Sequence, residues 1–354
     1  MNLRGIAHVG IPSFVRIKPG ALDRLVIYLA RHRHRRVALL ASAGLPAALL
    51  DRADGSLASR GSRPAARVEI ADASFEAATA VFASLPADID AVIGLGGGKA
   101  LDVAKYVAFL AGRPYYAVPT SMSNDGFCSP QSSLTLAGRR RSLATALPAA
   151  VVVDTEVCLA APQPLWWSGV GDLVAKLTAV RDWKIAYHER GEPVDDFAAL
   201  LSDAAVHQFL GRPERDLEGI RLLATALMLN GIAMAVCGSS RPASGSEHLI
   251  SHALDETAAR PRLHGLQVGL AAYIVSRLQG EEGRTEAIAG AFDRTRFWDT
   301  LQSDPFSRRE WIEAVRRAPS VRPDRFTVLS TRDCTGEVAA ILDADPRLRG
   351  CFVE

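Results

Sequence analysis

Three of the chain's eight histidines fall between positions 248 and 264. His248 and His252 are four residues apart in SGSEHLISHALD, so on a helix they share one face. His264 follows in LHGLQVGL, and Asp172 lies upstream in SGVGDLVAKLTAV, at what reads as a helix start. One carboxylate (Asp172) and two imidazoles (His248, His264) suit a borderline divalent ion: Zn²⁺ first, with Fe²⁺ or Ni²⁺ as alternatives. Three protein ligands leave a coordination position open, which marks a catalytic rather than a structural site. His252 would then point into the same cavity, where it could bond substrate or relay a proton. The bland alternative is a surface or internally satisfied histidine pair, and spacing alone does not separate the two. Glu247 precedes His248 instead of following it, so the H-E-x-x-H metalloprotease pattern is absent.

A second candidate is the run Gly-Leu-Gly-Gly-Gly-Lys at 94–99, between an apolar strand and the helical pattern KALDVAKYVAFLA. Consecutive glycines admit a ligand close to the backbone, and the helix start offers free N–H groups to a phosphate. Neither common phosphate motif fits. G-x-G-x-x-G would need glycine where Lys99 stands, and the P-loop would need glycine at Ile93 and Ser or Thr at Ala100. Pyrophosphate binding and a plain tight connection both remain open here. The loop PTSMSNDGFCSP, 119–130, is dense in hydroxyls and amides. Thr120, Ser121, Ser123 and Ser129 could bond a cofactor, and Asp125 could accept from substrate hydroxyls. An ordinary loop with an Asx-turn at Asp125 explains the same residues.

The elements that must position these groups are legible as runs. RVALLA (36–41), RVEI (67–70), DAVIGL (90–95), YYAV (115–118) and AAVVV (149–153) are strand-length and alternate with helical patterns, which predicts a parallel sheet covered on both faces. Leu22, Leu25, Val26 and Leu29 give one helix face. SSLTLAGRRRSLATAL predicts a hairpin turning near Gly138. After Asp154 strand-like runs nearly vanish and helical patterns dominate to about 317, with APQPLWWSG (161–169) as the join. Two domains are therefore expected: 1–160, α/β and the candidate for dinucleotide binding, and 161–354, mostly helical and carrying the candidate metal and substrate residues. A cleft between them is the default ligand site.

The totals exclude some classes. A net charge of +2 gives no footprint for nucleic acid. Five cysteines, at 128, 158, 237, 334 and 351, form no C-x-x-C pair and are expected as thiols in a reducing cytoplasm. The N-terminus MNLRGIAHVG lacks the basic-then-apolar pattern of a signal peptide. The longest apolar stretch, 219–236, carries Arg221, Asn230 and Gly231 and reads as a buried helix rather than a membrane span. The basic run RHRHRR (31–36) reads as a solvated helix end.

GLGGGKALDVAKY (94–106) resembles the cofactor turn shared by iron-type alcohol dehydrogenases, glycerol dehydrogenases and dehydroquinate synthases. PTSMSNDGFCSP, GVGDLVAKLTAVRDWKIA (169–186), RPASGSEHLISHALD (241–255) and RPDRFTVL (322–329) are most similar to the glycerol-1-phosphate dehydrogenase family within that superfamily. The resemblance implies an α/β N-terminal Rossmann-like domain plus an all-α C-terminal domain, the dehydroquinate synthase-like fold. It implies a cytoplasmic homo-oligomer, a dimer or larger, acting in phospholipid biosynthesis on a small phosphorylated substrate, without nucleic acid or membrane as partner.

It also implies roles by position. Gly96, Gly97, Gly98, Lys99 and Asp102 would lie at the phosphates of NAD or NADP, and Thr120, Ser121, Ser123 and Ser129 at its nicotinamide half. Asp172, His248 and His264 would hold the metal, and Asp125, His252 and Asp172 would face substrate. The expected reaction interconverts glycerone phosphate and sn-glycerol 1-phosphate. Lys176 and Arg139–Arg141 are candidate cations for the substrate phosphate. The first strand's end, LLASAG, has Ser42 and no acid, which leaves room for NADP. A dehydroquinate-synthase-like cyclase or lyase, a dehydrogenase for another polyol, and a binding protein that has lost its chemistry are the competing readings.

Overall fold

The computed structural model describes residues 9–59 and 64–354. The N-terminal reading above rests mainly on residues 1–8, outside the described residues. The chain divides into two compact units. One takes residues up to Thr120 together with Gly126–Cys158, and the other takes Ser121–Asp125 together with Leu159–Glu354.

The first unit is built on strands β1 (Phe14–Lys18), β2 (Val37–Ser42), β3 (Ala66–Ile70), β4 (Ala91–Gly96) and β5 (Tyr115–Pro119), a hairpin of β6 (Gln131–Leu136) and β7 (Arg139–Ala144), and β8 (Ala150–Asp154). Six of them form a sheet in the order β1-β8-β5-β4-β2-β3, with every pairing parallel. Helices α1 (Leu25–Arg31), α2 (Ala47–Ala58), α3 (Phe75–Ser84) and α4 (Gly98–Ala111) accompany it, and α5 (Thr155–Ala160) carries the chain across the division. Alternate residues of each central strand enter different cores. Val37, Leu39, Ile93, Leu95, Tyr116 and Val118 pack with Leu22, Leu25 and Leu29. Ala38, Leu40, Val92, Tyr115 and Ala117 pack with Val103 and Val107 of α4. Burial on both faces is why these strands read as unbroken apolar runs. The strand that the sequence reading missed, β1, lies at the edge, where FVRIK mixes apolar and charged residues.

The second unit comprises α6 (Gln163–Val174), α7 (Lys176–Arg190), α8 (Asp196–Leu210), α9 (Leu217–Cys237), α10 (Ser246–Thr257), α11 (His264–Leu278), α12 (Glu282–Thr295), α13 (Phe297–Ser303), α14 (Arg308–Val321) and α15 (Thr335–Ala344). The two-residue strands β9 (Phe306–Ser307) and β10 (Phe352–Val353) pair in parallel beside them. By length and composition α9 could cross a bilayer. Here it packs on α8 and buries Ile220, Leu223, Leu227 and Ala233. Its polar interruption, Asn230, is satisfied inside the core, accepting from the Ser202 hydroxyl at 2.6 Å and donating to the Ala226 carbonyl at 2.9 Å.

The packing of α6 against α11 depends on glycine. A Cβ on Gly171 would stand 2.0 Å from the Gly265 carbonyl oxygen, and one on Gly265 would stand 1.7 Å from that of Ser168. On Gly269 it would stand 2.7 Å from Gly171 Cα. The approach sets Asp172, near the end of α6, beside His264, the first residue of α11. Because the obstructing atoms are backbone, they cannot rotate away. Gly171→Ala is expected to cost about 3 kcal/mol, at the upper end for overpacking, measured as a fall in the unfolding free energy from urea titration of the ion-free chain.

Candidate active site

In the first unit the candidate cofactor turn lies at the C-terminal edge of the sheet. Strand order reverses between β2 and β4, the position where open α/β sheets hold ligands. There β4 runs directly into the glycine turn. Gly96 has φ +139°, and a Cβ on it would lie 2.1 Å from Ser42 Oγ at the end of β2. Ser42 Oγ accepts from Gly97 N–H at 3.0 Å, which ties the turn to the neighbouring strand. Helix α4 starts at Gly98 with no side-chain cap, so its first-turn N–H groups can meet an anion. Lys99 is exposed in that turn.

Asp102 is instead buried in α4, 3.5 Å from the Lys105 ammonium. Burial pushes its carboxyl up, against the charges of Lys105 and Arg140. Lys105 also donates to the Gly126 carbonyl at 2.5 Å and to Ser129 Oγ at 3.1 Å, and Ser129 donates to the Gln131 carbonyl at 2.9 Å. Ser129 is thus part of the brace between α4 and the loop. Thr120 stays partly exposed and its N–H donates to the Gly96 carbonyl at 3.0 Å.

Residues 121–125 join the second unit through α6. Ser168 Oγ donates to the Ser123 carbonyl at 2.9 Å, and Asp125 N–H donates to Asp172 Oδ2 at 2.9 Å. Gly169 makes room for Met122, whose carbonyl oxygen would be 2.0 Å from a Cβ there. Ser121 is buried and Ser123 partly exposed. Asp172 lies ten residues into the α6 stretch, so the expectation of a helix start is corrected. The preceding SGVG is helical because its glycines serve packing rather than a turn.

Asp172, His248 and His264 converge. Their ligand atoms all lie within 4.8 Å of one another. His248 Nε2 is 3.5 Å from Asp172 Oδ1, close to the edge of about 3.4 Å of a tetrahedron around an ion bonded at about 2.1 Å. The donor set therefore fits a single borderline divalent ion. His252 is in the same cluster, its ring centroid 6.4 Å from that of His248 and 6.1 Å from that of His264. Asp125, through Lys176, completes it.

Lys176, expected above as a phosphate cation, has a different place. It is fully buried, with Nζ 2.8 Å from Asp125 Oδ2, 2.9 Å from Asp172 Oδ1 and 3.2 Å from the Ala243 carbonyl. Its charge is spent on the two carboxylates. Arg139, Arg140 and Arg141 are exposed on β7. Burial opposes the ionised form of Asp172, but Lys176 and His248 overcome it and hold the carboxyl far below its usual range. Asp125 goes the other way, raised by burial and by the negative charge of Asp172, against the pull of Lys176. Burial lowers His248, and the carboxylates of Asp172 and Glu247 more than offset this, so the imidazole ends above its ordinary value.

Sequence reasoning missed the groups behind the ligands. Glu247 Oε1 is 2.9 Å from His248 Nδ1, and Ser251 Oγ is 3.3 Å from His264 Nδ1. Gln267 Nε2 donates to Ser251 Oγ at 2.9 Å and to Asp255 Oδ1 at 3.0 Å. Helical spacing was the available signal: Ser251 sits three residues past His248 and Gln267 three past His264.

The iron-containing alcohol dehydrogenase family model matches residues 16–162. The chain is 39% identical over 252 residues to a glycerol-1-phosphate dehydrogenase (NAD(P)+) of Hyperthermus butylicus, covering 70% of this chain and 72% of that one. It is 34% identical over 345 residues to the protein of the same name from Aeropyrum pernix, covering 94% and 96%. Among solved structures, a probable glycerol dehydrogenase from Sinorhizobium meliloti superposes with TM-score 0.73 at 20% identity, covering 96% of this chain and 99% of that one. A sulfoacetaldehyde reductase from Bifidobacterium kashiwanohense in complex with NAD+ gives TM-score 0.68 at 17% identity, covering 95% and 99%. These structural likenesses establish the fold.

Two outcomes follow from the geometry. His264→Ala leaves the helical unit folded by circular dichroism and weakens Zn²⁺ retention in chelator competition by more than about 100-fold, beyond the loss typical of supporting groups. Lys176→Met leaves two buried carboxylates without their counter-ion and destabilises the ion-free chain by about 3–5 kcal/mol. Saturating Zn²⁺ recovers part of that loss in the urea midpoint, because the ion neutralises the same carboxylates.

Proposed function

The chain belongs to the glycerol-1-phosphate dehydrogenase family, within the iron-containing alcohol dehydrogenases, and from that premise we propose that it interconverts glycerone phosphate and sn-glycerol 1-phosphate with NAD(P)H. The observation that carries this reading is the convergence of Asp172, His248 and His264 within 4.8 Å, with His252 and Asp125 beside them. A divalent ion on those three side chains, Zn²⁺ first, with Fe²⁺ or Ni²⁺ accepted by the same donors, would supply Lewis acidity toward a carbonyl oxygen. A bound nicotinamide would supply the hydride.

The chain's own residues do the rest. Asp125, fixed by its N–H on Asp172 and its carboxylate on Lys176, accepts a hydrogen bond from a substrate hydroxyl. His252 exchanges a proton with the substrate oxygen, giving it in reduction and taking it in oxidation. The N–H groups of Gly98 and Lys99 at the open start of α4 meet the dinucleotide's pyrophosphate, and Gly96 and Gly97 shape the turn that presents them. Thr120, Ser121 and Ser123 serve its nicotinamide half, and Ser129 and Asp102 hold that loop through Lys105. Acceptance of NADP alongside NAD is supported by the end of β2, where Ser42 occupies the position at which a carboxylate would repel a 2′-phosphate. A cytoplasmic location and a homo-oligomeric assembly belong to the same proposal and rest on the family resemblance.

The test is a panel of small ketones, with and without phosphate, followed by the absorbance of NADH and NADPH with Zn²⁺ present. Glycerone phosphate is expected to be consumed fastest, and both cofactors to be accepted. Equal or faster turnover of an unphosphorylated ketone would remove the phosphate from the assignment. Consumption of a sugar phosphate with no net change in NAD(P)H would move the chain to the cyclase reading.

A further inference from the structure

His248 can serve a cation only through a nitrogen lone pair, and an imidazole has one to offer only where it carries no proton. Its Nδ1 faces Glu247 Oε1 at 2.9 Å, while Nε2 faces Asp172 Oδ1 at 3.5 Å. With the proton on Nδ1 and donated to Glu247, Nε2 on the Asp172 side of the ring keeps its lone pair for the shared ion. Glu247 is itself fully buried and held from both ends. Gly245 N–H donates to Oε1 at 2.6 Å, and the Thr178 hydroxyl donates to Oε2 at 2.9 Å.

The turn carrying Glu247 is braced in turn. A Cβ on Gly245 would lie 2.7 Å from Asp182 Oδ2 and 3.0 Å from Glu247 Oε2, so the turn threads between two buried carboxylates. Asp182 accepts from Ser246 N–H at 2.7 Å, Val328 N–H at 2.9 Å and Gln279 Nε2 at 3.0 Å. Arg325 donates to the Ser244 carbonyl and, at 2.8 Å, to Ser240 Oγ. This gives work to RPDRFTVL (322–329), a motif that the proposed reaction does not use. Among the described residues neither Glu247 nor Asp182 has a lysine or arginine ion-pair partner, and burial together with Glu247 raises Asp182 to about 6. Burying two like charges side by side is a poor device for stability. It is a good one for orienting a ligand.

We propose that Glu247 is a positioning residue that sets the ring orientation and tautomer of His248, with Thr178 and the 322–329 segment holding its turn in place. The inference rests on the metal reading of the preceding subsection. Supporting carboxylates of this kind raise ligand basicity and are worth about 10–100-fold in metal affinity.

The test is Zn²⁺ affinity by chelator competition, together with the visible absorption bands of the Co²⁺-loaded chain, with folding of each ion-free variant checked by circular dichroism. Glu247→Leu is expected to weaken Zn²⁺ binding about 100-fold and to alter the Co²⁺ bands. Glu247→Gln keeps an acceptor for Nδ1–H but loses the charge. It is expected to weaken binding about 10-fold with bands close to those of the unsubstituted chain. A folded Glu247→Leu chain that binds Zn²⁺ as tightly as the unsubstituted one overturns the proposal, and should that variant not fold, unchanged affinity in Glu247→Gln does so. If the unsubstituted chain binds no ion, or His264→Ala binds it equally well, the metal reading falls and this proposal with it. The two failures are thereby distinguished.

Discussion

The helical unit is organised around one buried carboxylate. Asp172 is 1% exposed, and burying it alone would cost several kcal/mol. Its Oδ2 is satisfied by the Asp125 N–H and its Oδ1 by the Lys176 ammonium, with His248 Nε2 nearby. Each partner arrives from a different element: the 121–125 loop, the start of α7, and α10. The charge that could grip an ion is therefore also what collects the site's side chains. This explains why five residues distant in sequence group with the second unit, and why a buried lysine stands where a phosphate handle was expected.

Glycine serves two separate physical ends in this chain. At Gly96 a positive φ and the proximity of Ser42 Oγ require it, and the outcome is a helix start with open N–H groups at the sheet edge. At Gly169, Gly171, Gly265 and Gly269 the backbone conformation is ordinary, and what matters is missing volume. Helices α6 and α11 approach until carbonyl oxygens fill the places of side chains. That approach fixes the separation of Asp172 and His264 more tightly than side-chain packing would, because backbone atoms have no rotamers to adjust.

Much was legible in the sequence. The four central strands β2, β4, β5 and β8 appeared as apolar runs because both sheet faces are covered, and edge strand β3 appeared as a short run between turn residues. The hairpin at Gly138 appeared through turn chemistry, and the long helix α9 through the length of its apolar stretch. The triad of candidate ligands was nameable because histidines are few and because the motifs that carry Asp172, His248 and His264 resemble those of a known family. Edge strand β1 was not legible, since in FVRIK Arg16 and Lys18 break up an apolar run whose residues are mostly only partly buried. Nor was the placement of Lys176. Its spacing from Asp172 was visible, but whether its ammonium would face a ligand or a second carboxylate depends on where Asp125 falls.

Sequence alone determined which donors exist and on which helix faces they lie, because residue type and local period are properties of the chain. It likewise determined that a glycine-rich turn follows β4. Only the tertiary structure decided that Asp172, His248 and His264 meet, that Lys176 is enclosed, and that Glu247 stands behind His248. Even where two of these residues are neighbours in sequence, as Glu247 and His248 are, their mutual orientation is set by distant partners, by how closely helices pack and by which buried charges must find partners, none of which a local pattern encodes.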